Sequence, residues 1–66
     1  MKAYINTKPV KSGWYAEVVT EQDHNEGGPW AHSYRSDVVK SPTDAGIAAL
    51  NWAMANKLEI VEPEEI

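Results

Sequence analysis

The sequence predicts an α+β domain in which a three-stranded antiparallel sheet is packed on one face by a single C-terminal helix. Residues 14–20 and 30–37 divide into two alternating faces, as half-buried strands do, and residues 2–7 form a third strand-like stretch anchored by Tyr4 and Ile5. All three precede the only stretch with helical signals. The chain has 66 residues, which is the length of one small domain. We therefore expect the order β-β-β-α over residues 1–66, with residues 62–66 frayed.

The three predicted strands cover residues 2–7, 14–20 and 30–37. Pro9 ends the first strand or forms a bulge at an edge, because it has no N–H to donate to a ladder. The polar, glycine-rich residues 22–29 are typical of a long hairpin loop between the second and third strands.

Alternation along the second strand separates its two faces. If this strand pairs with the third, Arg35 lies near Glu17 on the open face of the sheet. Residues 58–61 are apolar enough for a short extra strand after the helix or for a strap across the core. The set assigned to the helix side is Trp14, Ala16, Val18 and Thr20, and the set on the open face is Tyr15, Glu17, Val19 and Glu21.

The helix is predicted over residues 41–58, and its start is well marked. Ser41 is a favourable N-cap, and Pro42 falls at the first helical position, where its missing N–H is not needed. Asp44 can bond back to the cap and suits the positive end of the helix dipole. At about 100° per residue, the face predicted to meet the sheet consists of Gly46, Ile47, Leu50, Ala53 and Met54.

The opposite face of the helix is also apolar, and it is open to two interpretations. In the first, Trp52 folds over an edge of the sheet or against the C-terminal tail. In the second, the face docks on a partner or on a second copy, since Trp is favoured at interface hot spots. The candidate partner-binding residues are Ala45, Ala48, Ala49, Trp52 and Glu59. The alternative site is the open sheet face, with Tyr15, Glu17, Val19, Ser33 and Arg35.

Composition and charge indicate the cellular compartment and limit the classes of partner. The chain contains no cysteine, which fits a reducing compartment, and its start lacks the apolar segment of a signal peptide. No run approaches the length of a membrane span, so we expect a cytoplasmic protein with no membrane partner. The net charge of −4 belongs entirely to residues 41–66, and such an acidic end repels nucleic acid.

The side-chain chemistry argues against catalysis. With no cysteine and no serine on a recognisable nucleophile turn, no triad can be built, and we expect no enzyme activity. The acidic and histidine side chains Asp23, His24, Glu26 and His32 match no zinc spacing. Gly27 and Gly28 open no helix and precede no lysine, unlike a phosphate-binding loop. We expect no metal and no cofactor.

A resemblance to a known family rests on the stretch G-W-Y-A-E-V at residues 13–18, on Trp30, and on S-P-T-D-A-G-I-A-A at residues 41–49. These features resemble the plant ethylene-response-factor DNA-binding domain, and integrase arm-binding domains are similar in layout. The resemblance implies a three-stranded sheet that lies in the major groove of DNA. In that family the open face is rich in arginine, whereas here it offers Arg35 alone, and phosphate contacts need several cations.

We therefore expect a small non-enzymatic protein-binding or regulatory module, such as an inhibitor or adaptor of bacterial or phage origin. The acidic C-terminal part and the second apolar helix face motivate a protein partner or self-association into a homodimer. The alternative is a sheet-mediated nucleic-acid-binding domain, which the charge disfavours.

Overall fold

A computed structural model describes residues 1–26 and 33–65 of the chain. It shows an α+β fold with a mixed four-stranded sheet and one main helix. The sheet has the order β3-β2-β1-β4, and the main helix α2 packs on one face of it. The elements in chain order are β1 (Lys2–Val10), β2 (Gly13–Thr20), α1 (Glu21–Glu26), β3 (Tyr34–Arg35), α2 (Pro42–Ala55), β4 (Glu59–Ile60) and a 3-10 turn (Pro63–Glu65).

Strands β1 and β2 form the antiparallel hairpin that the sequence predicts, with pairs from Ala3↔Thr20 to Val10↔Gly13. Strand β1 extends beyond its predicted end and includes Pro9. The Ala3 carbonyl accepts from the Val61 N–H, so backbone groups of the odd-numbered residues of β1 point away from β2. The N–H that Pro9 lacks would therefore point outward, and the ladder between β1 and β2 loses nothing.

The connection from β2 to β3 differs from the predicted hairpin loop. Residues Glu21–Glu26 form the short helix α1. Thr20 caps it, since its hydroxyl accepts from the Asp23 N–H and the Asp23 carboxylate accepts from the Thr20 N–H, each at 3.2 Å. The rest of the predicted loop and the first part of the predicted third strand, including Trp30 and His32, lie outside the described residues.

Strand β3 pairs antiparallel with β2, as predicted, but as a strand it covers only Tyr34–Arg35 of the described residues. Strand β3 ends because the side chain of Ser36, and not only its backbone, bonds to the next residue of β2. The Ser36 N–H donates to the Ala16 carbonyl at 2.7 Å, and the Ser36 hydroxyl accepts from the Ala16 N–H at 2.8 Å. The chain rejoins β2 at an isolated bridge between Val39 and Trp14.

The short extra strand expected at residues 58–61 is present as β4. It lies beside β1 with the pairs Lys2↔Glu59 and Ala3↔Ile60, and it runs parallel to β1. The sheet is therefore mixed rather than purely antiparallel. The reason is that α2 crosses the sheet from the hairpin end back to the beginning of β1, so the chain leaves the helix where β1 starts.

Helix α2 begins as predicted. The Ser41 hydroxyl accepts from the Asp44 N–H at 3.1 Å, and Pro42 is the first helical residue. At the other end the chain turns away through Lys57, which has a φ of 59°, and the Leu58 N–H donates back to the Ala53 carbonyl at 3.0 Å.

The face of α2 that meets the sheet is not the predicted one. Ala45, Ala49 and Ala53 are fully buried, whereas the three large residues assigned to the core are exposed: Ile47 by 52%, Leu50 by 39% and Met54 by 65%. The prediction of the helix face was therefore wrong for Ile47, Leu50 and Met54, whereas Ala53 is buried as predicted and Gly46 is half-buried. The buried alanines meet the small side chains of β1 and β2, and their size lets the helix backbone lie close to the sheet. The core cluster is Ala3, Ala16, Val18, Ala45 and Ala49.

Trp52 completes this core from one flank of the helix. Its indole is half-buried and stacks on the ring of Tyr34, with ring centroids 5.0 Å apart and planes 15° apart. Offset stacking of this kind contributes about 0.5–1.5 kcal/mol beyond simple burial. The interpretation in which Trp52 folds against the sheet agrees with this packing, since Tyr34 belongs to the edge strand β3.

Candidate partner-binding surfaces

A row of exposed apolar side chains runs along the outer side of α2. Ile47, Leu50 and Met54 are spaced by three and four residues, so they lie on one side of the helix. We call these three residues the outer stripe. Full burial of a side chain of this size stabilises a complex by about 1.5–3 kcal/mol, and roughly half of that remains available here.

The outer face of α2 also lacks charge. Between Asp44 and Lys57 the sequence contains no Asp, Glu, Lys or Arg, so the polar groups on this part of the helix are amides, a glycine backbone and an indole N–H. A helix whose second face is solvated normally carries charged residues there. The absence of charge next to the outer stripe is typical of a face that another surface covers.

The outer edge of β1 lies beside this helix. Within the described residues, β4 pairs with β1 at Lys2 and Ala3, and no strand follows it towards the hairpin. A Cβ added to Gly46 would lie 4.0 Å from the Thr7 methyl, which fixes this side of α2 over β1. Leu50 lies one turn after Gly46, on the same side of the helix.

An acidic segment leaves the sheet at the same edge. After β4, the Val61 N–H donates to the Ala3 carbonyl at 2.9 Å, and the chain then forms the turn Pro63–Glu65. Glu62, Glu64 and Glu65 are exposed, and we call these three residues the acidic turn. Negative charge therefore follows directly after the strand that shares an edge with β1.

The candidate residues on the predicted outer face of the helix divide between core and surface. Ala45 and Ala49 are fully buried in the core, so they are not available to a partner in the folded domain. Ala48 and Trp52 are half-buried, and Glu59 is exposed on β4. The predicted docking face is thus largely the face that packs on the sheet.

The second candidate site, the open sheet face, is less open than predicted. Glu17 is 1% exposed and forms an ion pair with Lys8, whose Nζ lies 3.3 Å from its Oε1. Val19 is buried as well, at the end of the face where the Tyr4 hydroxyl lies 3.2 Å from His24 Nδ1 of α1. Helix α1, which the sequence analysis did not predict, covers this end.

The remaining residues of that face make local contacts. The Arg35 guanidinium lies 5.0 Å from the centre of the Tyr15 ring, a cation–π arrangement. Glu17 and Arg35 are register partners, as the pairing of the second and third strands predicted. The Ser33 hydroxyl donates to the Asp23 carboxylate at 2.5 Å, which ties β3 to α1.

Neither a metal site nor a membrane span is found in the part of the chain that the structure describes. Residues 1–26 and 33–65 contain no group of three His, Cys, Asp or Glu side chains that could hold a metal ion. Neither described helix has the length and hydropathy needed to cross a bilayer.

Comparison with known proteins adds no relative: no family model matches the chain, and no curated protein and no solved structure matches it either. The resemblance to the ethylene-response-factor domain therefore stays a prediction.

Proposed function

We propose that the protein is a small non-enzymatic protein-binding module that docks on its partner through the outer stripe of α2. The observation that carries this proposal is the exposure of Ile47, Leu50 and Met54 on a helix that has no charged residue from position 45 to position 56. Apolar side chains of this size are usually the first to be buried in a small domain, yet here alanines occupy the core.

The small size of the domain also favours a role for the outer stripe in binding. A domain of this length gains only about 3–5 kcal/mol from its core. Three large apolar side chains left in water therefore reduce its stability by a large fraction of what burial could provide. Covering them on a partner recovers that contribution. An exposed apolar row of this kind is typical of an interaction surface.

A pull-down with stripe variants tests the proposal. Ile47→Ser and Met54→Ser should change stability by about 0.5 kcal/mol, and Leu50→Ser, at the least exposed of the three positions, by about 1–1.5 kcal/mol, so each variant should still fold. Each should weaken capture of a specific partner from a lysate of the source cells, and the Leu50 variant about tenfold or more if it lies at the centre of the interface. Binding is then quantified with the purified partner.

Val38→Ser is the matched control, because Val38 is exposed by 49% but lies outside α2. It should capture the partner as well as the wild type does. Equal capture by all four variants would contradict a role for the outer stripe and would leave the predicted residues Ala48, Trp52 and Glu59 as the next surface to test.

Binding of nucleic acid by the sheet is the rival proposal. Within the described residues, its cations on the sheet face include Lys8, which pairs with Glu17, Arg35, which lies over Tyr15, and Lys2, which lies on the same face of β1 as Lys8. We expect duplex DNA at low salt to leave the tryptophan fluorescence unchanged. Tight binding that weakens steeply with added salt would favour the rival, since phosphate contacts have that salt dependence.

A further inference from the structure

We propose that a second copy of this chain covers the outer stripe, with the two α2 helices packed antiparallel about Leu50. This inference rests on the proposed protein-binding function and names the partner. Three observations support it: the spacing of the stripe, the positions of Asp44 and Lys57 on either side of it, and the opposite charges at the two ends of the domain.

The spacing of the outer stripe is that of a seam between two helices. Ile47, Leu50 and Met54 are separated by three and four residues, which is the apolar repeat of helices that pack side by side at a small angle. Leu50 lies at the centre, so a two-fold axis beside it makes the stripe self-complementary. In the antiparallel pair, Leu50 meets its own counterpart, and Ile47 lies opposite the Met54 of the second copy.

Charged residues flank the stripe at nearly equal distances from its centre. Asp44 precedes Leu50 by six residues and Lys57 follows it by seven, and both are exposed. The antiparallel pair therefore brings each Asp44 to the end of the seam where the Lys57 of the second copy lies. A parallel pair would instead bring like charges together at both ends, which opposes association. No charged residue lies between positions 44 and 57 to oppose either arrangement along the seam.

The two ends of the domain differ in charge, and this difference favours the same arrangement. Helix α2 begins at the hairpin end of the sheet, where Val39 bridges to β2, and it ends where β4 begins. Among the described residues the carboxylates of α1, β4 and the acidic turn outnumber the lysines at this second end. Antiparallel helices place each basic end beside the acidic end of the other copy. The hairpin end has an excess of lysines, with Lys8, Lys11 and Lys40 against Asp37 and Asp44.

The seam is short, which predicts a weak dimer. The outer stripe contributes three large apolar side chains per copy, whereas a standard stable interface involves about 20–30 residues on each side. We therefore expect dilute protein to be monomeric, and the dimer to form between micromolar and millimolar concentrations.

Sedimentation equilibrium over that concentration range tests the dimer. The wild type should show a monomer–dimer equilibrium. Leu50→Ser should weaken dimerisation at least about tenfold, because one substitution removes the central contact from both copies. Val38→Ser should dimerise as the wild type does, since Val38 is exposed outside α2. Circular dichroism shows that each variant is folded at the temperature of the measurement.

Charge reversal tests the contact between Asp44 and Lys57 of two copies. Asp44→Lys and Lys57→Asp should each dimerise about three- to tenfold more weakly than the wild type, because two attractive contacts become repulsive. An equimolar mixture of the two variants should associate about as well as the wild type. In the mixed dimer each lysine again lies opposite an aspartate, so a recovery there excludes loss of folding as the cause.

Disulfide trapping tests the orientation, because the natural chain has no cysteine. A mixture of Ile47→Cys and Met54→Cys, oxidised at high protein concentration, should give mainly the mixed disulfide. Two symmetric disulfides in its place would indicate parallel helices and would overturn the inference.

Other results would overturn it as well. One is a wild type that stays monomeric at millimolar concentration, and another is a mixture of charge variants that shows no recovery. A third is a dimer whose formation shifts the amide signals of Ile5 and Thr7 but none from α2, because that dimer pairs through β1. If the wild type stays monomeric while Leu50→Ser loses capture of a different protein, the inference is wrong and the proposed function stands. If Leu50→Ser changes neither association nor capture, both are wrong.

Discussion

Replacing Ala49 with leucine should destabilise the domain by about 1–3 kcal/mol or more, because the new side chain has no room between α2 and the sheet. Ala49 is fully buried against a cluster that includes Ala16 and Val18. A domain of this length has about 3–5 kcal/mol of stability from its core, so a loss of this size would unfold a large part of the population. Urea unfolding followed by tryptophan fluorescence measures the loss.

Ala55→Leu is the matched control, because Ala55 lies on the same helix and is exposed. The same substitution there should change stability by about 0.5 kcal/mol or less. The face assignment would be contradicted if leucine at position 49 were tolerated as well as leucine at position 55.

Replacing Gly13 with alanine is the second substitution with a large expected effect. Gly13 has a φ of 155°, and a Cβ there would lie 2.2 Å from the Val39 carbonyl oxygen. That oxygen accepts from the Trp14 N–H at 2.7 Å, so the methyl group must displace the bridge that rejoins the chain to β2. Backbone strain at such a position costs about 1–3 kcal/mol even without the clash. Thermal unfolding followed by circular dichroism reports it.

Gly46→Ala is the control for that experiment, and its expected sign is opposite. A Cβ at Gly46 meets only the Thr7 methyl at 4.0 Å, which is ordinary contact, and alanine favours the helix by about 1 kcal/mol over glycine. Nothing in the described part of the chain approaches Gly46 closely enough to require a glycine. Stabilisation by both alanine substitutions would contradict the tight packing at Gly13.

The parts of the fold that the sequence predicted are those with local signals. The alternation in residues 14–20 identifies β2, and it correctly places Ala16 and Val18 on the helix side. The cap at Ser41 and the proline after it mark the start of α2. Such signals need only a few neighbouring residues, so a single sequence contains them.

The helix face could not be found in the same way. The face with Ile47, Leu50 and Met54 is more hydrophobic than the alanine face, so hydrophobicity alone predicts that it meets the sheet. The helix lies so close to the sheet, however, that only small side chains fit between them. The informative signal was the spacing of Ala45, Ala49 and Ala53 every four residues, opposite alanines in β1 and β2. The consequence for function is direct, since Ala45 and Ala49 of the predicted docking face lie in the core, and Ile47, Leu50 and Met54 of the predicted core face are exposed.

The candidate residues on the open sheet face were predicted without helix α1, which covers one end of that face. Thr20 and Asp23 have the spacing of a capping box, and that signal could have revealed α1 within the supposed loop. The burial of Glu17 and Val19 depends on the strands beside β2 and on helix α1, so alternation alone could not show it. The pairing of Glu17 with Arg35 in the register was predictable because it follows from hairpin geometry.

The orientation of α2 is the central claim, and thiol labelling tests it most directly because the natural chain has no cysteine. Single variants Ala49→Cys and Ile47→Cys place a thiol two residues apart on the same helix. Under native conditions the thiol at position 47 should react with a soluble disulfide reagent at the rate of a free peptide, and the thiol at position 49 should react at least a hundredfold more slowly, through local opening. Equal rates, or faster reaction at position 49, would contradict the orientation and with it the outer stripe.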